Sequence, residues 1–211
     1  MLIMGAGGHA LEILELAAQN GQLEGLCFFD NTRSAPSWVY DRFPVLYQEE
    51  QLRAHFAQAP DFVLGVGSPR VRRILAQIGR AAGGQLQSIQ AQDVYIGQFD
   101  NQLAQGLNLM QGVWISNSVS IEEGALINAG AQLHHEVKVG AYTEISPKAL
   151  LLGAVQIGQN CRIGAQATIL PGIKIADEVV VGAGAVVHKD LPKGVTAVGV
   201  PAKIIKGAAI F

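Results

Sequence analysis

Between Leu103 and Val187 an aliphatic residue stands at every sixth position without a gap: Leu103, Leu109, Ile115, Ile121, Ile127, Leu133, Val139, Ile145, Leu151, Ile157, Ile163, Ile169, Ile175, Val181 and Val187. Four residues after these come further small or β-branched residues, among them Ala125, Ala131, Val137, Thr143, Ala149, Val155, Cys161 and Ala167. A period of six is neither the 2 of a strand nor the 3.6 of a helix, so the repeating unit is a short strand plus a turn. Three hexads predict one triangular coil of a parallel β-helix, and fifteen predict five coils, with the aliphatic residue and its small partner pointing inward. At roughly 4.8 Å per coil the prism stands about 24 Å tall. Glycine, asparagine or a charge at the turn positions, as in Glu123-Gly124, Asn128 and Gly182-Ala183-Gly184, lets the chain take the corners.

The first third of the chain follows a different pattern. Met1 to Met4 reads as a short apolar strand, followed at once by Gly5-Ala6-Gly7-Gly8-His9-Ala10 and by Leu11, Ile13, Leu14, Leu16 and Ala17 at helical spacing. A glycine turn between strand and helix presents free N–H groups and the positive helix end, which is an anion site. A second strand, Gly25 to Phe29, ends in Asp30-Asn31, where a dinucleotide-type βαβ unit puts an acidic ribose contact. Residues 32 to 60 are expected to form a loop with Pro36 and Pro44, then a helix from Gln48 to Ala57. Phe62 to Ser68 reads as a third strand with its own glycine turn at Gly67, and Val71 to Ala82 as its helix. Three strands alternating with helices make a small parallel sheet, which takes ligands at the carboxyl ends of its strands.

Gly83-Gly84 marks the expected boundary between a domain over 1–84 and a second over 85–211. Ile96 stands seven residues before Leu103, so the register slips by one, and a bulge or linking coil is expected there. After Val187 the period stops at Leu191-Pro192, and Lys193 to Lys206 forms a tail that caps the last coil.

Composition narrows the partners. A net charge of -2 with only 15% charged residues argues against nucleic acid or an acidic membrane surface. No apolar run reaches the roughly 18 residues of a membrane span, so the mean hydropathy of +0.27 reflects the repeats. Cys27 and Cys161 sit in apolar β patterns and read as two reduced core thiols of a cytoplasmic protein.

The hexads, the closing Val198-Gly199-Val200-Pro201-Ala202-Lys203 and the opening Gly5-Ala6-Gly7-Gly8-His9 together resemble the left-handed β-helix nucleotide-sugar acetyltransferases, the group of bacillosamine-pathway N-acetyltransferases and sialic-acid O-acetyltransferases. The resemblance covers essentially the whole chain. It implies a mainly β fold in which a small Rossmann-like βαβ domain precedes a left-handed parallel β-helix. It also implies a homotrimer, acetyl-CoA as donor, no metal, and a site in the groove between neighbouring prisms.

Polar residues that interrupt the hexads carry the candidate chemistry, and His134-His135-Glu136, between Leu133 and Val137, is the most conspicuous group. Acetyl transfer needs a base to take the nucleophile's proton, and a histidine with a carboxylate beside it suits that at neutral pH. The resemblance puts the base on His135 and its orienting acid on Glu136; a direct contact between them requires the corner to bend the backbone, since successive strand residues face opposite ways. His134 is expected to pack at the corner. Relatives carry a further histidine near the thioester where this chain has Glu144. The resemblance also implies donor contacts at Glu144 and at small turn residues one coil apart or nearly so, Gly153, Ala165 and Ala183, with Lys203 and Lys206 near the coenzyme's phosphates. It assigns the nucleotide sugar to Gly7, Gly8, His9, Asp30, Asn31 and Gly67. A sugar amine, a 4-amino group first, is the expected acceptor, with a hydroxyl as the alternative. Two rivals from other classes are a zinc lyase of the carbonic anhydrase type, which needs three converging histidines, and a nucleotide-sugar binding protein without catalysis.

Overall fold

The structure, a computed structural model, describes residues 1–205; Lys206 of the capping tail lies outside them. The amino-terminal domain contains β1 (Leu2–Met4), α1 (Gly8–Gln19), β2 (Cys27–Phe29), β3 (Trp38–Val39), β4 (Phe43–Leu46), α2 (Glu49–Phe56), β5 (Asp61–Leu64), α3 (Pro69–Ala81) and β6 (Gln85–Leu86). They form one sheet in the order β3-β4-β2-β1-β5-β6, parallel except for the β3–β4 hairpin. β1 and β2 are buried along their whole length, which is why they read as continuous apolar runs.

One expectation is corrected here. The sheet has six strands rather than three: the loop expected around Pro36 and Pro44 contains β3 and β4, and Gln85–Leu86 adds β6. Pro44 reads as a strand breaker, yet the hydrogen bond to Ser37 O at 3.1 Å comes from the next residue, Val45, so the missing N–H costs the hairpin nothing there. β6, directly after Gly83-Gly84, completes the sheet by pairing with β5.

The rest is a three-faced parallel β-helix of two-residue strands. The first face stacks Ile89–Gln90, Asn108–Leu109, Leu126–Ile127, Glu144–Ile145, Arg162–Ile163 and Val180–Val181, and ends in Thr196–Val198 with the antiparallel Lys203–Ile205 as its cap. The second stacks Tyr95–Ile96, Trp114–Ile115, Gln132–Leu133, Leu150–Leu151, Thr168–Ile169 and Val186–Val187. The third stacks Gln102–Leu103, Ser120–Ile121, Lys138–Val139, Gln156–Ile157 and Lys174–Ile175. The solenoid therefore begins two strands earlier than the unbroken hexads. One extra residue between Ile96 and Leu103 hides that start: Ile96 lies beside Ile115 and Leu103 beside Ile121.

Inward positions behave as the period requires. Ile127, Leu133, Ile145, Ala149, Val155 and Cys161 are fully buried in one continuous core, each large aliphatic contributing about 1.5–3 kcal/mol. Every sixth residue from Gly106 to Gly184 adopts a left-handed conformation, whether glycine or, as at Ser118, Glu136, Tyr142, Lys148, Ala154, Asn160, Gln166 and Glu178, not. That conformation costs a non-glycine residue roughly 1–2 kcal/mol. It is offset by the stacked core and by a corner hydrogen bond to the coil below, such as Ala154 N to His135 O at 2.9 Å. Asn128 is not one of these corner residues; it follows inward Ile127 and its Oδ1 accepts from Ala129 N at 2.8 Å.

The domain lies on the first face and is locked there by α3. Arg72, fully buried, donates from Nε to Gly124 O at 2.8 Å, from Nη1 to Val66 O at 2.8 Å and from Nη2 to Asn108 Oδ1 at 2.9 Å. Asn108 in turn donates to Leu64 O at 2.7 Å. Burial pushes the guanidinium down to about 9, and nearby Glu144 works against that shift, so it stays charged at neutral pH. The clamp therefore seizes both carbonyls around the end of β5 and sets the Gly65–Ser68 turn against the solenoid. On the outer side Arg80 pairs with both oxygens of Glu123, at 2.8 and 2.6 Å.

Candidate active site

The glycine turn after β1 is built by two specific constraints. Gly5 has φ of +113°, and a Cβ there would lie 2.6 Å from Val66 Cγ1, so no other residue fits. Asp30 Oδ2 accepts Ala6 N at 3.0 Å, while its Oδ1 accepts Thr32 N at 2.9 Å and Thr32 Oγ1 at 2.7 Å. Asp30, expected to contact a ribose, is thus already the brace of the turn. Gly7 caps α1 with no side-chain hydrogen bond, and a Cβ at Gly7 or Gly8 would meet nothing within 4 Å. The positive end of α1 is accordingly open to a ligand, with Asn31 exposed beside it.

His9, in the first turn of α1, is held at Nδ1 by Glu12 Oε2 at 2.8 Å, while its Nε2 is buried without a hydrogen-bond partner. Burial is the main cause that lowers its pKa, with Glu12 opposing, so the ring is neutral at pH 7. The electrostatic neighbours of His9 include Glu144 of the first face. A Cβ on Gly67 would lie 4.0 Å from Glu144 Oε2. The turns of the amino-terminal domain and Glu144 therefore form one group. Glu144 also accepts Arg162 Nε at 2.8 Å and Ser146 Oγ at 3.1 Å. Arg162 escaped the sequence reading because it lies on the coil above, eighteen residues away, and looks like an ordinary outward position.

A second group stands at the edge between the second and third faces. Glu136 adopts φ of +61°, and this is the bend that lets its carboxylate turn back to His135, with Oε2 at 3.1 Å from Nδ1. Bonding at Nδ1 leaves Nε2 as the proton acceptor. Against the ring, on the coil above, lies Gly153, where a Cβ would be 2.4 Å from both Cε1 and Nε2. Any side chain there would displace the imidazole. The His135 side chain is 63% exposed, so within one chain the imidazole faces outward. His134 turns the other way and packs on Trp114, centroids 5.2 Å apart, which stacks on Tyr95.

The residues expected to contact the donor do not share one edge. Ala165 and Ala183 lie one coil apart between the first and second faces, whereas Gly153 belongs to the His135 edge. Gly153 is twelve residues before Ala165, two hexads rather than the three of a full coil. Lys203 is exposed on the capping strand. Among the described residues no group of three or more His, Cys, Asp or Glu could hold a metal ion, and no helix is long and apolar enough to cross a membrane.

Known proteins agree with this arrangement at the level of the whole chain. The model of the PglD N-terminal domain matches residues 1–78, and that of the hexapeptide repeat of succinyl-transferase matches residues 154–189. The acetyltransferase domain of PglB from Neisseria gonorrhoeae FA1090 is 30% identical with a TM-score of 0.86, over 97% of this chain and 98% of its own. PerB from Caulobacter crescentus, solved in complex with CoA and GDP-perosamine, is 30% identical with a TM-score of 0.88, over 97% and 96%. WeeI from Acinetobacter baumannii AYE is 25% identical with a TM-score of 0.86, over 97% and 98%. A comparison with curated protein sequences gives no match.

Proposed function

The chain belongs to the left-handed β-helix sugar acetyltransferases, and from that membership we propose that it moves the acetyl group of acetyl-CoA onto the amino group of a nucleotide-linked amino sugar, a 4-amino group being the acceptor. The observation that carries this reading is the His135 corner, where an imidazole bound by Glu136 at 3.1 Å lies against Gly153 with Nε2 free to accept a proton. Support for an amine comes from the Caulobacter crescentus neighbour, described as a perosamine N-acetyltransferase in complex with CoA and GDP-perosamine.

The neutral amine attacks the thioester carbonyl, and His135 Nε2 takes the proton as the new C–N bond forms. Glu136 accepts the Nδ1 hydrogen and stabilises the imidazolium. Collapse of the tetrahedral intermediate breaks the C–S bond, and the imidazolium returns its proton to the departing thiolate as CoA leaves. In this reading residues 1–84 hold the nucleotide sugar through Gly7, Gly8, His9, Asp30, Asn31 and Gly67. Residues 85–211 hold the donor through Glu144, Gly153, Ala165, Ala183 and Lys203. The protein is a cytoplasmic homotrimer in which the His135 edge of one copy meets the first face of the next; the exposure of His135 and the separation of the two groups on one prism support that assembly.

The test is thiol release from acetyl-CoA with UDP-, dTDP-, GDP- and CMP-linked amino sugars, with mass spectrometry locating the acetyl group and light scattering giving the oligomer. Release with at least one amino sugar and a trimer is the expected result. Acetyl found on a hydroxyl would reassign the acceptor. A protein that binds a nucleotide sugar but neither binds nor consumes acetyl-CoA would not be an enzyme of this kind.

A further inference from the structure

Beyond Gly67 the first turn of α3 and the first face enclose a cleft of about 490 Å³, lined by Ser68, Arg70, Arg73, Asn160, Arg162 and Glu178 among others. Three guanidinium groups face one carboxylate, and that carboxylate, Glu178, already pairs with Lys193 at 3.3 Å. Two of the arginines are held from behind. Arg73 Nη2 donates to Gln159 Oε1 at 2.6 Å and its guanidinium lies over the Tyr142 ring at 5.4 Å. Arg162 is oriented through Nε by Glu144 at 2.8 Å. Such fixed forks suit phosphate oxygens. Ser68 caps α3 with no side-chain hydrogen bond, so the positive end of a thirteen-residue helix opens on the same space.

We propose that this cleft is a phosphate-binding subsite that takes the phosphate of one of the two substrates. Only the identity of the ligand rests on the acetyl-transfer reading; the shared chemistry is a phosphate ester, supplied either by the diphosphate of the nucleotide sugar or by the coenzyme's 3′-phosphate. Arg73 and Arg162 are the charged donors and Arg70 guards the mouth.

Calorimetric titration of the full chain with pyrophosphate, CoA, 3′-dephospho-CoA, UDP and GDP tests this without turnover, so a protein that acetylated none of the sugars would still give an answer. Pyrophosphate is expected to bind wild type, and Arg73→Gln and Arg70→Gln are each expected to weaken it about tenfold or more. Arg73→Lys should weaken it less, and Glu178→Gln, which removes the opposing charge, should tighten it. A loss for CoA but not for 3′-dephospho-CoA assigns the cleft to the coenzyme, and a loss for UDP or GDP assigns it to the nucleotide sugar. Absence of pyrophosphate binding to wild type would overturn the proposal. So would unchanged affinity for all five ligands in the exposed Arg70→Gln variant and in Arg73→Gln at an unchanged melting temperature.

Discussion

In the amino-terminal domain each turn at the carboxyl edge of the sheet is made once, by residues that only fit there: Gly5 against Val66, Asp30 reaching back to Ala6, and Arg72, with Asn108 of the solenoid, gripping the end of β5. In the solenoid the same left-handed corner is made over and over with glycine, serine, glutamate, tyrosine, lysine, alanine, asparagine and glutamine in turn. The backbone at a solenoid corner is imposed by the coils above and below, so the side chain is free to carry chemistry. At the glycine turns the residues themselves hold the backbone, and a change there alters the shape of the site. Function in the solenoid is therefore separable from folding, while in the amino-terminal domain the two are coupled.

The comparison breaks most visibly at an inward position. Ile157, 4% exposed in the stack, replaced by Asp buries an unpaired charge and should cost several kcal/mol, enough to lose folded protein. Gln156→Asp, on the outward side of the same strand, should melt within a degree or two of wild type by circular dichroism. Equal losses would mean the inward register is wrong.

His135→Ala should lower kcat about 10²–10⁴-fold while leaving the melting temperature and acetyl-CoA affinity unchanged. Loss of stability in step with activity would contradict the separability claimed for solenoid corners, and full activity would remove the mechanism. Gly153→Ala sharpens the same point, because the Cβ would push on a mobile ring rather than on backbone. Stability should hold and kcat should fall about 10²-fold, the usual effect of a misplacement near 1 Å. Retention of activity would show that the imidazole does not need its glycine neighbour.

At the other domain, a Cβ on Gly8 would meet no protein atom within 4 Å, so Gly8→Val should fold normally and raise KM for the nucleotide sugar about tenfold with KM for acetyl-CoA unaffected. A parallel rise in both constants would argue against a division of labour between the domains.

The smallest effect concerns pH. Burial holds His9 below its usual 6.5, so below about pH 6.5 the unfolded chain binds more protons than the folded one. Its contribution to stability is complete above that pH and fades as pH falls through the folded value. Glu123, held below its usual 4.5 chiefly by Arg80, adds a second loss below about pH 4.5 by the same sign. Melting temperature should be flat from pH 7 to 8 and fall in two stages on acidification, the first stage shrinking in His9→Gln. An identical profile in that variant would remove His9 from the account.

The six-residue period was legible because each inward position must be apolar whatever stands opposite it, so Leu103 to Val187 announced the coils and their register without help. The glycine turns after β1 and β5 were legible for a similar local reason: a strand, glycines and a helix leave the chain few other paths. Pro44 misled because a proline's missing N–H matters only if the ladder needs that hydrogen bond, which depends on the partner strand. Four further features of the site arise from residues one coil apart in space or from how one domain lies on another. Glu136 turns back to His135 through φ of +61°. Gly153 lies against the ring eighteen residues after it. Glu144 binds Arg162 and lies beside the Gly67 turn. Arg70, Arg73 and Arg162 converge on one cleft. The sequence determined which side chains point in, since burial selects residue type position by position; only the tertiary structure decided which outward side chains meet, because stacking and domain docking select partners by distance and leave no period in the chain.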